Sequence, residues 1–494
     1  MKLIPHLILP VVVFVSGAVI MILELAAARI IAPYLGTSII VWTSLIGVFL
    51  AALSIGYFLG GRIADRFPSP YTLASILFFA STLVAASGHF ERILEFVSTF
   101  SNIQVAAVCA TIILFSPATI LLGMVSPLAV RLSLTDLHAS GRAVGNLYAI
   151  SNTGSIIGTF LGGFILISYF GSTRIIFILA LTLLTLAILL VLMHRVRARI
   201  TPLTLTIIFV VIGTLFPSTL TLRADQTLVA DIETTYGRHW VFDMRVDGRV
   251  IRALTNIPSG YQSLMYLDAP TKLMRGGYLE FFDIATHINP DIKRALAIGG
   301  SAYIYPRHFL AQSQARMIDV VEIDPDITEI ARTYFDLTED PRLTIIHEDG
   351  RIFLNKNTAA YDAIFLDAFH SDLSIPFHLT TTETVAHIKR SLVPDGVVIV
   401  NMIGALEGTQ STFIRASYST YKEHFKNVHV YQIRSERDPS EIQNLVLVAS
   451  DLILPDKDIV KTHFPYAAPY DLRDTNAPIL TDDFAPVERY LLGF

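Results

Sequence analysis

The segment from Ala295 to Asp367 constrains the fold of this chain more than any other segment. It contains four apolar runs with β-strand character, each ending at glycines or acids: RALAIGGSAYIYPR, MIDVVEIDPD, LTIIHEDGR and YDAIFLDAFHSD. In an open parallel sheet, ligands bind beyond the carboxyl ends of the strands. The pattern therefore predicts a nucleoside-binding sheet with acidic groups at its binding edge.

Hydrophobic residues are distributed unevenly along the chain. They make up 52% of the 494 residues, against 16% charged residues, and nearly all of the excess lies before about Leu222. A chain of this length exceeds one ordinary domain. We predict a multi-pass transmembrane helical bundle over 1–222, a module of a β-hairpin and a helical segment over 223–290, and a Rossmann-like catalytic domain over 291–494.

Seven apolar stretches in the first part are long enough to span a bilayer. They lie at about 7–33, 38–60, 71–88, 104–125, 144–168, 173–193 and 201–220. The first stretch is longer than the apolar core of a signal peptide and lacks a clear cleavage site, so we interpret it as a retained helix. Small residues punctuate the stretches, as in GYFLGG, which predicts a closely packed bundle of six to seven spans.

The soluble part alternates between two kinds of pattern. Short alternating runs around a turn at Asp247-Gly248 predict the β-hairpin. Strands are then predicted at 294–299, 317–322, 343–347, 361–366, 396–401, 427–433 and 443–449. Helices are predicted near 306–313, 326–335 and 381–391. This alternation predicts a doubly wound α/β fold.

Acids follow the second and third of these strands. Glu322 comes about twenty residues after the turn at Gly299 and Gly300, where such folds place an acid that accepts ribose hydroxyls. Asp324 is the neighbouring alternative, although its place before a proline suits a turn into the next helix. Asp349, followed by Gly350, can accept from an adenine amino group or form an Asx turn.

Asp367 and Asp372 flank a short loop after the fourth strand. Two carboxylates beside a pocket suit a substrate with several ammonium groups, because one can bind an amine while the other takes a proton. The alternative is a surface loop that carries two acids by chance. His378 could line the same pocket or pack the loop.

Other features exclude several classes of site. The single cysteine, Cys109, excludes a disulfide framework. The net charge of −5, without a Lys/Arg cluster, argues against binding to nucleic acid. No histidine and acid cluster has metal-ligand spacing, so we predict no metal.

The motifs together resemble a known family. VVEIDPDITEIARTYFDL, DPRLTIIHEDGRIFL and YDAIFLDAF are similar to the core of the spermidine synthase (polyamine aminopropyltransferase) family. ELAAARIIAPYLGTS, GYFLGGRIADR and LTDDFAPVE extend the likeness to its membrane-attached branch, which carries N-terminal transmembrane helices. The resemblance implies a class I methyltransferase-type fold. It also implies aminopropyl transfer from decarboxylated S-adenosylmethionine to a polyamine such as putrescine, with methylthioadenosine as the second product.

The resemblance also implies roles for individual residues. It assigns Glu322 to the ribose, Asp349 with Gly350 to the adenine, and Asp367 to the general base. Gln262 and Tyr278 lie where the family lines its amine site.

Some residues depart from the family pattern. The turn GGSAYIYPR lacks the acid of the family's GGGDGG, and the family's Tyr-His-Glu is here Tyr278-Leu279-Glu280. These departures leave the prediction of adenosyl-nucleoside binding intact, but they leave the identity of the transferred group open. The alternatives are methyl or alkyl transfer from ordinary S-adenosylmethionine to a small amine, or a polyamine transporter or sensor. Glu24 within the first span, which is otherwise explained by an ion pair with Arg29, motivates the transporter alternative.

We predict that the bundle lies in the cell membrane (the inner membrane where there are two), and the charges of its loops predict its orientation there. Arginines at 62, 66, 131, 142, 195, 197 and 199 lie in alternate loops, which places those loops and the N-terminus in the cytoplasm. A seventh crossing would place the catalytic domain outside, whereas the cytosolic supply of the adenosyl donor favours the cytoplasm. The sequence is also compatible with a homo-oligomer.

Overall fold

A computed structural model of the chain describes residues 5–100, 102–134, 140–194, 223, 225–258, 260–368, 375–472 and 477–492. The chain divides into two compact units, Met1–Thr221 and Leu222–Phe494. The division lies one residue from the boundary predicted at the end of the apolar part. The predicted span 201–220 and the predicted site residue Asp372 lie outside the described residues.

The described part of the first unit is helical. Its helices are Pro5–Leu35, Ile39–Arg66, Pro70–Ser87, Glu91–Ser98, Ile103–Leu114, Ser116–Ser133, Ser140–Phe160, Ile167–Tyr169 and Ser172–His194, with a π-helical segment at Leu161–Leu166. Six of the described helices are long and apolar enough to cross a membrane: Ile8–Leu35, Ile39–Arg66, Pro70–Ser87, Ser116–Ser133, Ser140–Leu166 and Ser172–Met193.

The fourth predicted span, 104–125, is wrong as a single helix. The structure ends one helix at Leu114 and begins the next at Ser116, with Pro117 in its first turn. Proline has no N–H to donate to the preceding turn, so it starts a helix more readily than it continues one. The membrane-length helix at this place is Ser116–Ser133, and Ile103–Leu114 is a shorter apolar helix.

Small residues let the helices of the first unit approach closely, as predicted. A Cβ added at Gly158 would lie 2.6 Å from the Cα of Ala18 in the helix Pro5–Leu35, and one at Gly154 would overlap the carbonyl of Phe14. Dispersion contacts hold such a helix pair together, and they need this close approach.

The second unit begins with a four-stranded antiparallel sheet in the order β1-β2-β3-β4. Its strands are β1 (Gln226–Glu233), β2 (Arg238–Val246), β3 (Arg249–Thr255) and β4 (Ser263–Tyr266). The predicted turn joins β2 to β3, with Asp247 and Gly248 both at positive φ. The predicted hairpin is therefore the centre of a larger sheet.

A mixed eight-stranded sheet follows, in the order β12-β10-β11-β9-β8-β5-β6-β7. Its strands are β5 (Arg294–Ile298), β6 (Met317–Glu322), β7 (Leu343–His347), β8 (Tyr361–Leu366), β9 (Leu392–Gly404), β10 (Asn427–Gln432), β11 (Gln443–Ser450) and β12 (Ala468–Tyr470). The strands from β9 to β7 run parallel, while β11, β10 and β12 pair antiparallel. All seven strands predicted here are present.

Helices cover this sheet and bury both of its faces. The helices are Tyr278–Phe281, Ile284–Ile288, Ile304–Ala311, Pro325–Tyr334, Gly350–Lys356, Thr382–Arg390, Thr412–Lys422, Lys457–His463 and Val487–Leu492. Ala295 and Ala297 of β5 belong to one core cluster, and Leu296 and Ile298 to another. Burial on both faces explains why the parallel strands are continuous apolar runs.

The connections create a crevice at one edge of the sheet. From β5 the chain continues to β6 and β7 on one side, and β8 then pairs with β5 on the other side. Strand order therefore reverses at β5, and in such sheets the crevice beyond the carboxyl ends at this point is the usual ligand site.

Two glycines of the helix Ser140–Phe160 provide a matched test of the helix packing. We expect Gly158→Ala to destabilise the full-length chain by about 1–3 kcal/mol, because the added methyl group overlaps the helix Pro5–Leu35. Gly145 has no described atom within 4 Å of an added Cβ, so Gly145→Ala should keep or raise the stability. The thermal unfolding midpoint in detergent measures both effects, and equal midpoints would contradict the close packing.

Candidate active site

A cavity of about 770 Å³ lies at the carboxyl ends of the parallel strands. Glu322 is the last residue of β6, and Asp349 comes shortly after β7. Gly299 directly follows β5, and Asp367 directly follows β8. The predicted site residues that line the cavity are Gln262, Tyr278, Gly299, Glu322, Asp349, Gly350 and Asp367. Gly300 does not line the cavity, but its backbone N–H donates a hydrogen bond to Glu322, which does.

Asp367 lies at the point where β8 meets β5. The phenol of Tyr278 donates to its Oδ2 at 3.0 Å, and the amide of Asn401 donates to its Oδ1 at 2.8 Å. Burial raises the pKa of the Asp367 carboxyl from 3.8 to about 6, and the hydrogen bonds from Asn401 and Tyr278 oppose that rise. A carboxyl group with this pKa can take a proton near neutral pH.

Tyr278 is held as a hydrogen-bond donor to this carboxylate. Burial, followed by the neighbouring charge of Asp367, raises the pKa of the Tyr278 phenol well above 10. The phenol therefore stays protonated across the physiological pH range and keeps one Asp367 oxygen oriented.

Two amide side chains on the other side of Asp367 were not predicted from the sequence. Asn401 lies in β9, and its Oδ1 accepts from Nδ2 of Asn444 in β11 at 3.0 Å. The available signal was a single polar residue inside the apolar run VVIVNMIG. A buried asparagine in such a strand needs a partner, and here that partner is the predicted base.

Backbone geometry makes Gly299 indispensable. Its φ is +96°, and an added Cβ would overlap the backbone carbonyl of Asp367. Only glycine combines this conformation with such a close approach. The turn after β5 can therefore lie directly against the end of β8.

Glu322 stabilises the same turn through hydrogen bonds. Its Oε2 accepts from the backbone N–H groups of Gly300 at 2.8 Å and Ser301 at 3.2 Å, and its Oε1 accepts from the N–H of Asp324 at 3.0 Å. These bonds use three of the roughly four acceptor positions of a carboxylate. One position on Oε1 remains for a ligand hydroxyl, so the ribose role stays a prediction.

Asp324 and Asp349 both cap helices. Asp324 accepts from the N–H of Asp326, as its predicted turn role requires, and also from the hydroxyl of Thr234 at 2.5 Å. Asp349 accepts through Oδ1 from the N–H groups of Arg351 and Ile352. Its Oδ2 faces Nε2 of His378 at 3.4 Å. One oxygen of Asp349 therefore stabilises the helix while the other points toward the cavity-lining histidine.

Gln262 contributes an unpartnered acceptor to the cavity wall. Its side-chain Oε1 is buried without a hydrogen-bond partner among the residues that the structure describes. A buried polar atom of this kind is normally satisfied by a ligand or an ordered water.

Charge is distributed unevenly around the cavity. The acids Glu322, Asp324, Glu348 and Asp349 lie at the ends of β6 and β7, whereas Arg434 and Arg437 lie beyond β10. These two arginines were not predicted as site residues from the sequence. Within the described ranges no group of three or more His, Cys, Asp or Glu side chains could hold a metal ion.

Comparison with known proteins addresses the family of this unit. Residues 281–444 match the Spermine/spermidine synthase domain. A probable polyamine aminopropyl transferase of Bifidobacterium longum is 34% identical over 148 residues, which cover 30% of this chain and 32% of that protein. The chain thus spans about a third of the length of this relative.

Two further similarities cover more of the chain. Polyamine aminopropyltransferase 1 of Streptomyces coelicolor is 22% identical over 420 residues, which cover 78% of this chain and 74% of that protein. A probable spermidine synthase from Corynebacterium glutamicum, known from its crystal structure, aligns with a TM-score of 0.46 at 19% identity, covering 54% of this chain and 99% of that chain. Residues 281–444 of this chain therefore form a spermine/spermidine synthase domain.

Proposed function

We propose that the second unit transfers an aminopropyl group from decarboxylated S-adenosylmethionine to an amine, with release of methylthioadenosine. The observation that carries this proposal is the buried Asp367 carboxyl, which Tyr278 and Asn401 hold in the wall of a nucleoside-sized cavity. The spermine/spermidine synthase domain at 281–444 and the names of the relatives support the same reaction class.

The donor would bind along the ends of β5, β6 and β7. The close turn at Gly299 admits the sugar to the strand ends, Oε1 of Glu322 can accept one ribose hydroxyl, and Asp349 with His378 faces the adenine side. This placement directs the sulfonium end of the donor toward Asp367, which lies on the other side of β5.

The transfer itself needs one displacement step. The amine nitrogen forms a bond to the donor methylene carbon, the carbon–sulfur bond breaks, and its electron pair stays on sulfur as a neutral thioether. The proton released by the nitrogen passes to the Asp367 carboxylate. Tyr278 and Asn401 orient that carboxylate without taking part in the proton transfer.

Methyl or alkyl transfer from ordinary S-adenosylmethionine is the second candidate. The observation that favours it lies in the glycine turn, where Ser301 Oγ meets Ser263 Oγ at 2.9 Å in place of the family's acid. A neutral pair provides no counter-charge for the ammonium group of an aminopropyl donor, whereas ordinary S-adenosylmethionine balances that group with its own carboxylate. Supplying each donor with the same amines and identifying the products by mass spectrometry distinguishes the two reactions.

Asp367→Asn tests the proposed base. We expect kcat to fall by about 10²–10⁴-fold, because an amide cannot accept the proton. Binding of methylthioadenosine, measured by calorimetry, should remain within a few-fold of the parent value. Asp395→Asn is the matched control, since Asp395 is exposed and lies outside the cavity wall. Equal turnover by the parent and Asp367→Asn would exclude Asp367 as the base.

The pH profile tests the environment of the same carboxyl. Since Asp367 must be ionised to accept a proton and its pKa is raised to about 6, kcat/KM should fall as the pH drops through about 6. Tyr278→Phe removes a hydrogen bond that favours the ionised form, so the fall should move to higher pH.

Tyr261→Phe is the control for this profile. Tyr261 also lines the cavity, and its hydroxyl accepts from Gln226 rather than from a catalytic group. Its profile should match that of the parent chain. An acidic limb that stays in place in Tyr278→Phe would contradict the assignment of that limb to Asp367.

We further propose that the first unit anchors the enzyme in a membrane with the second unit in the cytoplasm. Six described helices have the required length and hydropathy, and the Streptomyces coelicolor alignment covers more of the chain than the second unit contains. Six crossings from a cytoplasmic N-terminus return the chain to the cytoplasm, where the donor is made.

Reporter fusions after Phe494 test this topology. We expect a fused green fluorescent protein to fluoresce and a fused alkaline phosphatase to stay inactive, because the phosphatase needs export. The two reporters fused after Leu134, in a loop predicted to be cytoplasmic, serve as the reference. An active phosphatase after Phe494 would place the second unit outside and would imply a further crossing.

A further inference from the structure

Two solvent-exposed arginines line the end of the cavity far from the predicted nucleoside residues. Arg434 and Arg437 follow β10 and line the same cavity as Asp367. Neither guanidinium has a side-chain hydrogen bond or ion pair among the described residues. Glu436, Asp438 and Glu441 belong to the same loop but do not line the cavity.

Sheet order separates these cations from the acids of the cavity. Apart from Asp367, the described acids that line it lie at the ends of β6 and β7, on the opposite side of β5. From β8, where Asp367 lies, the order continues through β9 and β11 to β10. Three strand spacings correspond to roughly 14 Å across the sheet. An arginine side chain is long enough to span part of this distance.

The wall between Asp367 and the arginines is suited to an aliphatic chain. Ile403 at the end of β9 and Ile442 before β11 are apolar, and Asn444 provides a neutral amide beside them. A second ammonium group of a diamine would lie near two guanidinium groups, which repel it. A carboxylate at the same place can form paired hydrogen bonds with arginine.

From this geometry we infer that the acceptor is a primary amine whose distal end carries an anionic group, most simply the carboxylate of an ω-amino acid. The inference rests on the proposed function and specifies its acceptor. The amine lies at Asp367, the methylene chain crosses Ile403 and Ile442, and the carboxylate binds Arg434 and Arg437. The bonds formed and broken in the transfer are those already described.

Three acceptors of matched length test the inference with the full-length enzyme and decarboxylated S-adenosylmethionine. They share a four-carbon amine and differ at the distal end: 4-aminobutanoate (anionic), butane-1,4-diamine (cationic) and 1-aminobutane (neutral). Release of methylthioadenosine gives kcat/KM for each. We expect 4-aminobutanoate to exceed the diamine by about tenfold or more, as for a charge-assisted hydrogen bond.

Variants of the two arginines assign that preference to its cause. The double variant Arg434→Gln with Arg437→Gln should lower kcat/KM for 4-aminobutanoate by about tenfold and leave that for 1-aminobutane unchanged. Arg245→Gln is the control, because Arg245 is exposed on β2 and does not line the cavity. Thermal unfolding midpoints check that each variant is folded.

The outcomes separate the inference from the proposed function. Methylthioadenosine release with the diamine preferred, or a preference for the anion that survives in the double variant, would overturn the inference and leave the aminopropyl transfer standing. An absence of release with every amine would overturn both.

Discussion

The contact between the turn after β5 and the end of β8 is the constraint on which the rest of the site depends. The N–H of Asp367 donates to the carbonyl of Ile298, and the N–H of Gly299 donates to the carbonyl of Val321. These bonds join three parallel strands at their carboxyl ends. Because Gly299 has no side chain, its backbone reaches the carbonyl of Asp367, and the glycine turn and the proposed base become neighbours.

The polar groups at this edge of the sheet form hydrogen bonds with one another. Glu322 accepts from the turn that Gly299 begins, while Tyr278 and Asn401 hold Asp367 from the flanking elements. Burying a carboxyl group is costly unless it is hydrogen-bonded, and its pKa rises when desolvation outweighs those bonds. The desolvation that disfavours the ionised form of the Asp367 carboxyl raises its pKa to about 6, so this carboxyl can accept a proton near neutral pH.

Much of this arrangement was predictable because strand-end chemistry is local in the sequence. The turn at Gly299 and the acids at 322, 349 and 367 follow apolar runs directly, so their common edge could be inferred from strand order alone. Asn401, Asn444, Arg434 and Arg437 could not be inferred in this way. They lie on β9, β11 and the loop that joins β10 to β11. Antiparallel pairing of β11 with β9, which are not consecutive in the chain, places them on the same side of the cavity as Asp367.

Hydropathy and spacing by themselves determined the two-part organisation, the parallel strands and the acids at the strand ends, because each depends on residues close together in the chain. The tertiary structure alone decided where the fourth apolar stretch breaks into two helices and which groups hold Asp367. It also decided which backbone N–H groups donate to each carboxylate oxygen of Glu322. It also placed two arginines at the far end of the cavity. Those features depend on three-dimensional packing and on hydrogen bonds between distant segments, which a local pattern cannot encode.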